Sequence, residues 1–413
     1  LDAVIADRPV FLMDEELHMA WLNSRGLQEC GIDKNTEAPD GGIICRDEKG
    51  DPTGVLLENA VALAAKHAFE FDKKTVKKLI EGYIDKAVSL GITSVSDMTP
   101  YLSLDLSFPE VYFEMVSNNE LKIRVNAARN LFEDINTFNE IRQKADLEGK
   151  GLYRVPYMKQ FIDGTPANFT GMLLEDYSDN PGEKGKATID LDKMAAAIET
   201  ATENNISVRL HSCGDRSCRE AINAYENALK KFPETESRHM VEHLELVDPN
   251  DIPRFGQLGI ICSIQPEHLA AGTMKWEENC YPEKLGPERE RYTWPFKQLK
   301  DNGAVLAGGT DCPVVEGNLF WGMYAGNTRK YYDDIPEGGW NPQEKLTMPE
   351  MIDMFTSGAA YAEHRENELG TLEAGKLADI TVVDRNLLEL EENPDIRDTK
   401  VLLTMVDGRV VYS

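Results

Sequence analysis

Seven short apolar runs, spaced along the chain by stretches of helical periodicity, leave few folds open to it. The runs cover residues 91–97, 121–127, 154–162, 206–211, 239–243, 259–264 and 304–309, and helical stretches such as 190–204, 215–231 and 249–257 separate most of them. Strands that alternate with helices form parallel βαβ units, because a parallel return needs a crossover. Seven such strands fall one short of a closed eight-fold α/β barrel. Four runs end in a side chain with chemistry: Lys159 in YRVPYMKQFIDG, His211 in NISVRLHSCGD, His243 in RHMVEHLEL and Asp311 in GAVLAGGTDCP. Strand C-termini of a parallel barrel face the loops that build active sites. The set therefore predicts a metal site assembled from separate strands.

Each residue has a second reading. A neutral imidazole is the commonest protein ligand for zinc-like ions, but His211 could equally be a hydrogen-bonded core histidine. His239 precedes His243 by four residues, a metal-binding spacing on a helix. MVEHLEL reads as strand, however, which makes His239 structural and Glu242 a supporting group beside the ligand. Asp311 can bind metal and accept a proton, or cap the segment that follows. Lys159 among apolar neighbours is costly unless paired, with Asp163 or Asp311, or chemically altered. An uncharged amine there can take up carbon dioxide as a carbamate, an anion able to bridge two metal ions. Cys213 and Cys312, next to site residues, read as small neutral fillers.

Composition excludes several classes. Formal net charge is −28 over 413 residues, which argues against nucleic acid or an anionic membrane as partner. No run approaches a membrane span, and no signal-peptide pattern opens the chain. The seven cysteines form no CxxC pair, which suits reduced thiols and predicts the cytoplasm. A small-molecule substrate is expected, and a homodimer is left open.

Three domains are predicted. Residues 1–60 read as an inserted α/β segment over the barrel mouth. Within it DEELHMAWLNSRGLQECGI reads as a helix carrying His18 and Trp21, and GGIICRDEKGDPTGVLLENA as a hairpin across Asp47–Gly50. Residues 61–368 hold strands two to eight of the barrel. Two long loops interrupt it, 272–295 as a lid over the site and 331–347 after the last barrel strand. Residues 369–413 read as strands, including a hairpin across Asp407–Gly408, that need partners to bury both faces.

The chain resembles the amidohydrolase superfamily, in the YtcJ-like branch that includes N-substituted formamide deformylases. The likeness runs nearly end to end. It is carried by LHMAWLNSRGL (17–27), PTGVLLENA (52–60), MKQFIDGT (158–165), LHSCGDRS (210–217), VEHLELVDPNDIPRFGQLGI (241–260), SIQPEHL (263–269), GGTDCPV (308–314) and ELGTLEAGKLADITVVD (368–384). The resemblance implies a distorted (β/α)8 TIM barrel with a small β-sandwich made from both chain ends. It implies Lys159 as a carboxylated bridge, His211 and His243 as ligands of the more exposed metal, and Asp311 as ligand and general base. His268 is implied to face substrate, and His18 and Trp21 to cover the pocket. Asp163, Asp215 and Arg216 are implied as supporting or substrate-contacting groups.

One departure stands out. The family carries a His-X-His pair on its first barrel strand, and this sequence holds none. The expectation is that a segment preceding Leu1 supplies that strand; the alternative is a chain that has lost one metal site. The implied cofactors are one or two divalent ions, with zinc the default and iron or manganese also compatible, and carbon dioxide as the Lys159 carbamate. The leading function is hydrolysis of a carbon–nitrogen bond, other than a peptide bond, in an amide or N-formyl compound by a metal-activated water. Isomerisation or ester hydrolysis on the same site, and a catalytically silent binding protein, are the alternatives.

Overall fold

A computed structural model describes residues 1–99, 101, 104–270 and 274–413. All seven predicted runs are strands of one parallel sheet: β5 (Ser94–Asp97), β6 (Arg124–Asn130), β7 (Tyr153–Phe161), β8 (Ser207–Ser212), β9 (Met240–His243), β10 (Ile261–Ile264) and β11 (Leu306–Gly308). They pair in unbroken chain order from β5 to β11. The β strands before them, β1 (Phe11–Met13), β2 (Met19–Leu22), β3 (Gly42–Arg46) and β4 (Pro52–Glu58), form an antiparallel sheet in the order β1-β2-β4-β3. The last three, β12 (Ile380–Val383), β13 (Val401–Val406) and β14 (Arg409–Tyr412), form a second antiparallel sheet.

The parallel sheet is curled. Ser96 on β5, Tyr157 on β7 and Arg209 on β8 all reach one carboxylate, Glu363, at 2.5, 3.4 and 3.4 Å. A flat sheet would hold strands so far apart in order well out of common reach, since neighbours stand about 4.8 Å apart. On the same concave face Ala128, Tyr157, Met240, Ile261 and Ala307, from five strands, meet in one apolar cluster. The convex face is covered by helices, among them Leu191–Glu203 and Asp215–Lys231, which the sequence placed correctly. Asp190 caps the first of these by accepting from the Asp192 and Lys193 amides at 3.0 Å each.

The N-terminal helix expected across residues 14–32 is mostly absent. β2 occupies its middle, and only Ser24–Glu29 is helical. Leu17 has φ +65°, which no right-handed helix accepts. Asn23 then caps the short helix by accepting from Gly26 N at 2.8 Å. Pairing with β1 and β4 buries Ala20 and Leu22 against Leu56 and Ile44. That tertiary burial outweighs the local helical pattern. The hairpin across Asp47–Gly50 is present as β3 and β4.

The C-terminal strands find their partner in a helix rather than in another strand. Thr404 Oγ1 donates to the Val88 carbonyl at 2.7 Å, and Thr381 Oγ1 to Gly91 at 2.7 Å, both at the end of the helix Lys73–Ser89. Arg124, at the start of β6, grips Asp379 with two hydrogen bonds of 2.8 and 2.9 Å, and both side chains are buried. No helix among the described residues is long and apolar enough to cross a membrane. Removing one partner of a buried pair strands the other charge. Arg124→Ala is therefore expected to cost roughly 3–5 kcal/mol in denaturant unfolding; a loss below about 1 kcal/mol, the range of an exposed pair, would contradict this anchoring.

Candidate metal and active site

Parallel register lines up the C-terminal strand ends. Phe161 on β7 is opposite His211 on β8, and Ser212 is opposite His243 on β9. The rings follow one another along this edge: Phe161 to His211 at 4.8 Å between centroids, His211 to His243 at 4.4 Å, and His243 to His268 at 5.8 Å, stacked. Asp311 follows β11, and its Oδ2 stands 3.8 Å from His268 Nε2. His243, Leu244 and Asp311 all have positive φ, at +74°, +55° and +59°. Left-handed backbone at non-glycine residues costs on the order of 1–3 kcal/mol each and concentrates at functional sites. Here it turns the two strand ends toward a shared cavity.

Three side chains, His243, His268 and Asp311, present ligand atoms that all lie within 4.8 Å of one another. The expected set was Lys159, His211, His243 and Asp311. The structure brings His268, expected only to face substrate, into closest company with His243 and Asp311. His211 adjoins them through His243. Lys159 is buried on β7 with its Nζ 4.6 Å from the Phe161 ring centroid, and it does not line the cavity.

Burial sets the protonation of the imidazoles. It pushes His243 down to about 3, and it holds His211 well below the usual range, with the charge of the neighbouring His18 acting in the same direction. His268 is also lowered by burial, against the pull of Asp311. These rings are neutral at neutral pH, the form that binds metal. His268 Nε2 is buried without a hydrogen-bond partner. A buried ring nitrogen without a partner is costly, and a group bound beside Asp311 would satisfy it. The donor set thus fits a divalent ion. Burial also lowers Lys159, although Glu242 and Asp311 pull it the other way.

The remaining expected residues divide. His18 lines the cavity and is buried, its ring 4.9 Å from that of His211, and its Nδ1 is 2.7 Å from Glu58 Oε2. Trp21 does not cover the pocket. β2 alternates, so Ala20 and Leu22 point inward while Trp21 points out, 45% exposed. Asp163 is buried beneath the site. It accepts from the amides of Met172, Cys213 and Gly214 and from Ser217 Oγ, at 2.7 to 3.1 Å. It therefore fixes the loop after His211 and does not neutralise Lys159. Burial still raises it, to about 7. Asp215 opens a helix and accepts from Leu174 N at 2.9 Å. The Arg216 side chain is about half exposed, beside Glu220 at 3.8 Å. Neither Asp215 nor Arg216 lines the cavity. Glu242 pairs with buried Arg209 at 2.9 Å and accepts from Gln265 at 3.3 Å. His239 stacks on Tyr225 and accepts from the Val208 amide on Nδ1, a structural role as expected.

The cavity, about 140 Å³, includes residues that the sequence reading passed over. Glu245 accepts from Tyr281 Oη at 2.5 Å, and burial, then the charge of Glu16, pushes it up to about 8. Glu16 accepts from Thr165 Oγ1 at 2.6 Å and Asn168 Nδ2 at 3.1 Å. Cys213 Sγ lies 3.4 Å from His211 Nε2; Cys312 is outside the lining. Met274, Asn279, Cys280 and Tyr281, from the segment expected as a lid, form one wall; its residues 272 and 273 lie outside the described residues. The one available signal was Glu245 in HLEL, a carboxylate inside an apolar run.

Burial alone would lower His18, but the charge and hydrogen bond of Glu58 prevail and raise it to about 9. A raised imidazole pKa stabilises the fold fully below its unfolded value of about 6.5 and loses that contribution as pH rises through about 9. Wild-type stability is expected to fall between pH 6.5 and 9 more steeply than that of His18→Gln in paired denaturant melts. Parallel pH profiles would contradict a charged His18–Glu58 pair.

The chain is similar to known proteins over its whole length. The amidohydrolase family matches residues 1–412. The protein LONG AFTER FAR-RED 3 of Arabidopsis thaliana is 29% identical, over all of this chain and 70% of its own length. YtcJ of Bacillus subtilis is 28% identical over all of this chain and 75% of its own. The N-substituted formamide deformylase of Arthrobacter pascens is 25% identical over the same shares. An uncharacterized metal-dependent hydrolase from Pyrococcus horikoshii has the same fold, with TM-score 0.72 over 94% of this chain and 73% of that one, at 23% identity. This chain belongs to the amidohydrolase family, in its YtcJ-like branch.

Proposed function

We propose that this chain is a metal-dependent hydrolase that cleaves a carbon–nitrogen bond in an amide or N-formyl compound. Family membership supports metal-dependent hydrolysis, and the likeness to a formamide deformylase supports the bond type. The single observation that carries the reading is the convergence of His243, His268 and Asp311 within 4.8 Å at the rim of a buried cavity.

In this reading residues 61–368 are the catalytic unit, a distorted (β/α)8 barrel, and residues 369–413 belong to a β-sandwich. His211, His243 and Asp311 would hold a divalent ion, zinc by preference. Lys159, buried on β7, would join the site only as a carbamate, and burial, which lowers its amine, favours the uncharged form that takes up carbon dioxide. Such an ion supplies Lewis acidity, which polarises a carbonyl and acidifies water. Asp311 accepts the proton of the attacking water and returns it to the leaving nitrogen. His268, 3.8 Å from Asp311, donates to the carbonyl oxygen as negative charge develops there. The Asp163 bonds hold the loop behind His211 still. The cavity walls limit water around the reacting carbonyl.

Elemental analysis of protein produced with zinc, together with assays on N-formyl amines and simple amides, tests this reading. Asp311→Asn is expected to lower kcat by roughly 10²- to 10⁴-fold, the usual worth of a positioned acid–base group. His243→Ala is expected to lower both bound metal and activity. Activity that survives removal of the metal would refute the mechanism.

A further inference from the structure

The proposed chemistry draws on His268 and Asp311 and leaves one buried polar group of the cavity unused. Asn279 lines the cavity, and its Nδ2 is buried without a hydrogen-bond partner. The residue is held on both sides. Its backbone amide donates to the Trp276 carbonyl at 3.1 Å, and its Oδ1 accepts from the Tyr281 amide at 3.0 Å. Tyr281 is tied in turn to Glu245 at 2.5 Å. The Tyr281 bond fixes which end of the side-chain amide is free. Reversing the amide would set two donors against each other, so Oδ1 stays on Tyr281 and Nδ2 is left over.

An aspartate or serine can close the same kind of turn, so the turn does not call for the NH2 group. A side-chain NH2 donates and cannot accept, and leaving it buried and unpaired is costly. What it lacks is an acceptor. Charge narrows the choice. Among the described residues no lysine or arginine lines the cavity, and the His18 ring is already engaged by Glu58 at 2.7 Å. An anion would enter without a free counter-charge, so the matching acceptor is an uncharged oxygen. Size narrows it further. A cavity of about 140 Å³ is close to one that takes a single benzene. Whatever meets Asn279 therefore lies only a few bonds from a carbonyl placed at His268 and Asp311.

We propose that Asn279 is a specificity-determining residue whose Nδ2 donates to an uncharged substrate oxygen, so that the preferred substrate is a small amide or formamide carrying a second oxygen as an ether, hydroxyl or carbonyl. The substrate half of this statement rests on the hydrolase reading above; the donor site itself does not.

Calorimetric titration with tetrahydropyran, a ring ether, and with benzene reads the site without any turnover. Asn279→Asp keeps the acceptor for Tyr281 and replaces the free donor by a second oxygen. The affinity ratio of tetrahydropyran to benzene is expected to fall roughly five- to tenfold in this variant, the net worth of one hydrogen bond. An unchanged ratio would overturn the proposal. A wild-type crystal soaked in tetrahydropyran tests it without any variant. The ether oxygen is expected at hydrogen-bond distance from Nδ2; a ring bound with its oxygen turned away, or bound elsewhere, would overturn it. Assays on N-(2-methoxyethyl)formamide and its isostere N-butylformamide, with wild type and Asn279→Asp, then separate the two ideas. An Asn279-dependent preference for tetrahydropyran without hydrolysis of either formamide upholds the donor site and removes the hydrolase reading. Hydrolysis with no Asn279-dependent preference for the methoxy compound upholds the hydrolase reading and removes the proposed substrate class.

Discussion

Seven parallel strands in unbroken order share one direction, so every C-terminal end opens on the same side of the sheet. This is the constraint on which the site depends. His211 and His243 lie far apart in sequence, yet adjacent register brings their rings to 4.4 Å. Asp311 and His268 arrive from the ends of β11 and β10 by the same geometry. The groups proposed for catalysis can occupy turns because the strands beneath them are fixed by their hydrogen-bond ladders.

The interior of the curl is not wholly apolar, and its polar groups are placed to serve that rim. Arg209 lies one alternation below His211 on β8. It pairs with Glu242 at 2.9 Å and Glu363 at 3.4 Å, and its guanidinium stacks 4.5 Å from the Tyr157 ring centroid. Glu242 immediately precedes His243 on β9. The pair thus ties the two histidine-bearing strands together just under the cavity. A buried ion pair adds little net stability against an apolar substitute, so its contribution here is geometric. Above it, burial keeps His211 and His243 neutral, while the Glu58 carboxylate keeps His18 charged. Two neutral rings and one charged ring thus stand side by side.

Much of this was legible in the sequence, and the failures have physical causes. The runs 154–162 and 206–211 were readable because both faces of a parallel strand are buried, which leaves a continuous apolar signature. The strand-end histidines followed from those runs. The middle of DEELHMAWLNSRGLQECGI was misread as helix because the apolar spacing fits a helix and the true partners of β2, β1 and β4, lie outside the window. Trp21, expected over the pocket through resemblance alone, points outward because strand alternation turns its side chain away. His268 was found only through resemblance, and its closeness to His243 and Asp311 depends on how the chain turns after β10, which no local pattern encodes. Glu16 was hidden in an acidic run, and Glu245 was read as part of an apolar strand.

The central claim is that side chains from separate strand ends share one cation. Anomalous X-ray diffraction from crystals grown with zinc tests it most directly. The account predicts an anomalous peak about 2 Å from an imidazole nitrogen of His243 and from a carboxylate oxygen of Asp311. A zinc-loaded crystal with no peak between those two residues would contradict it.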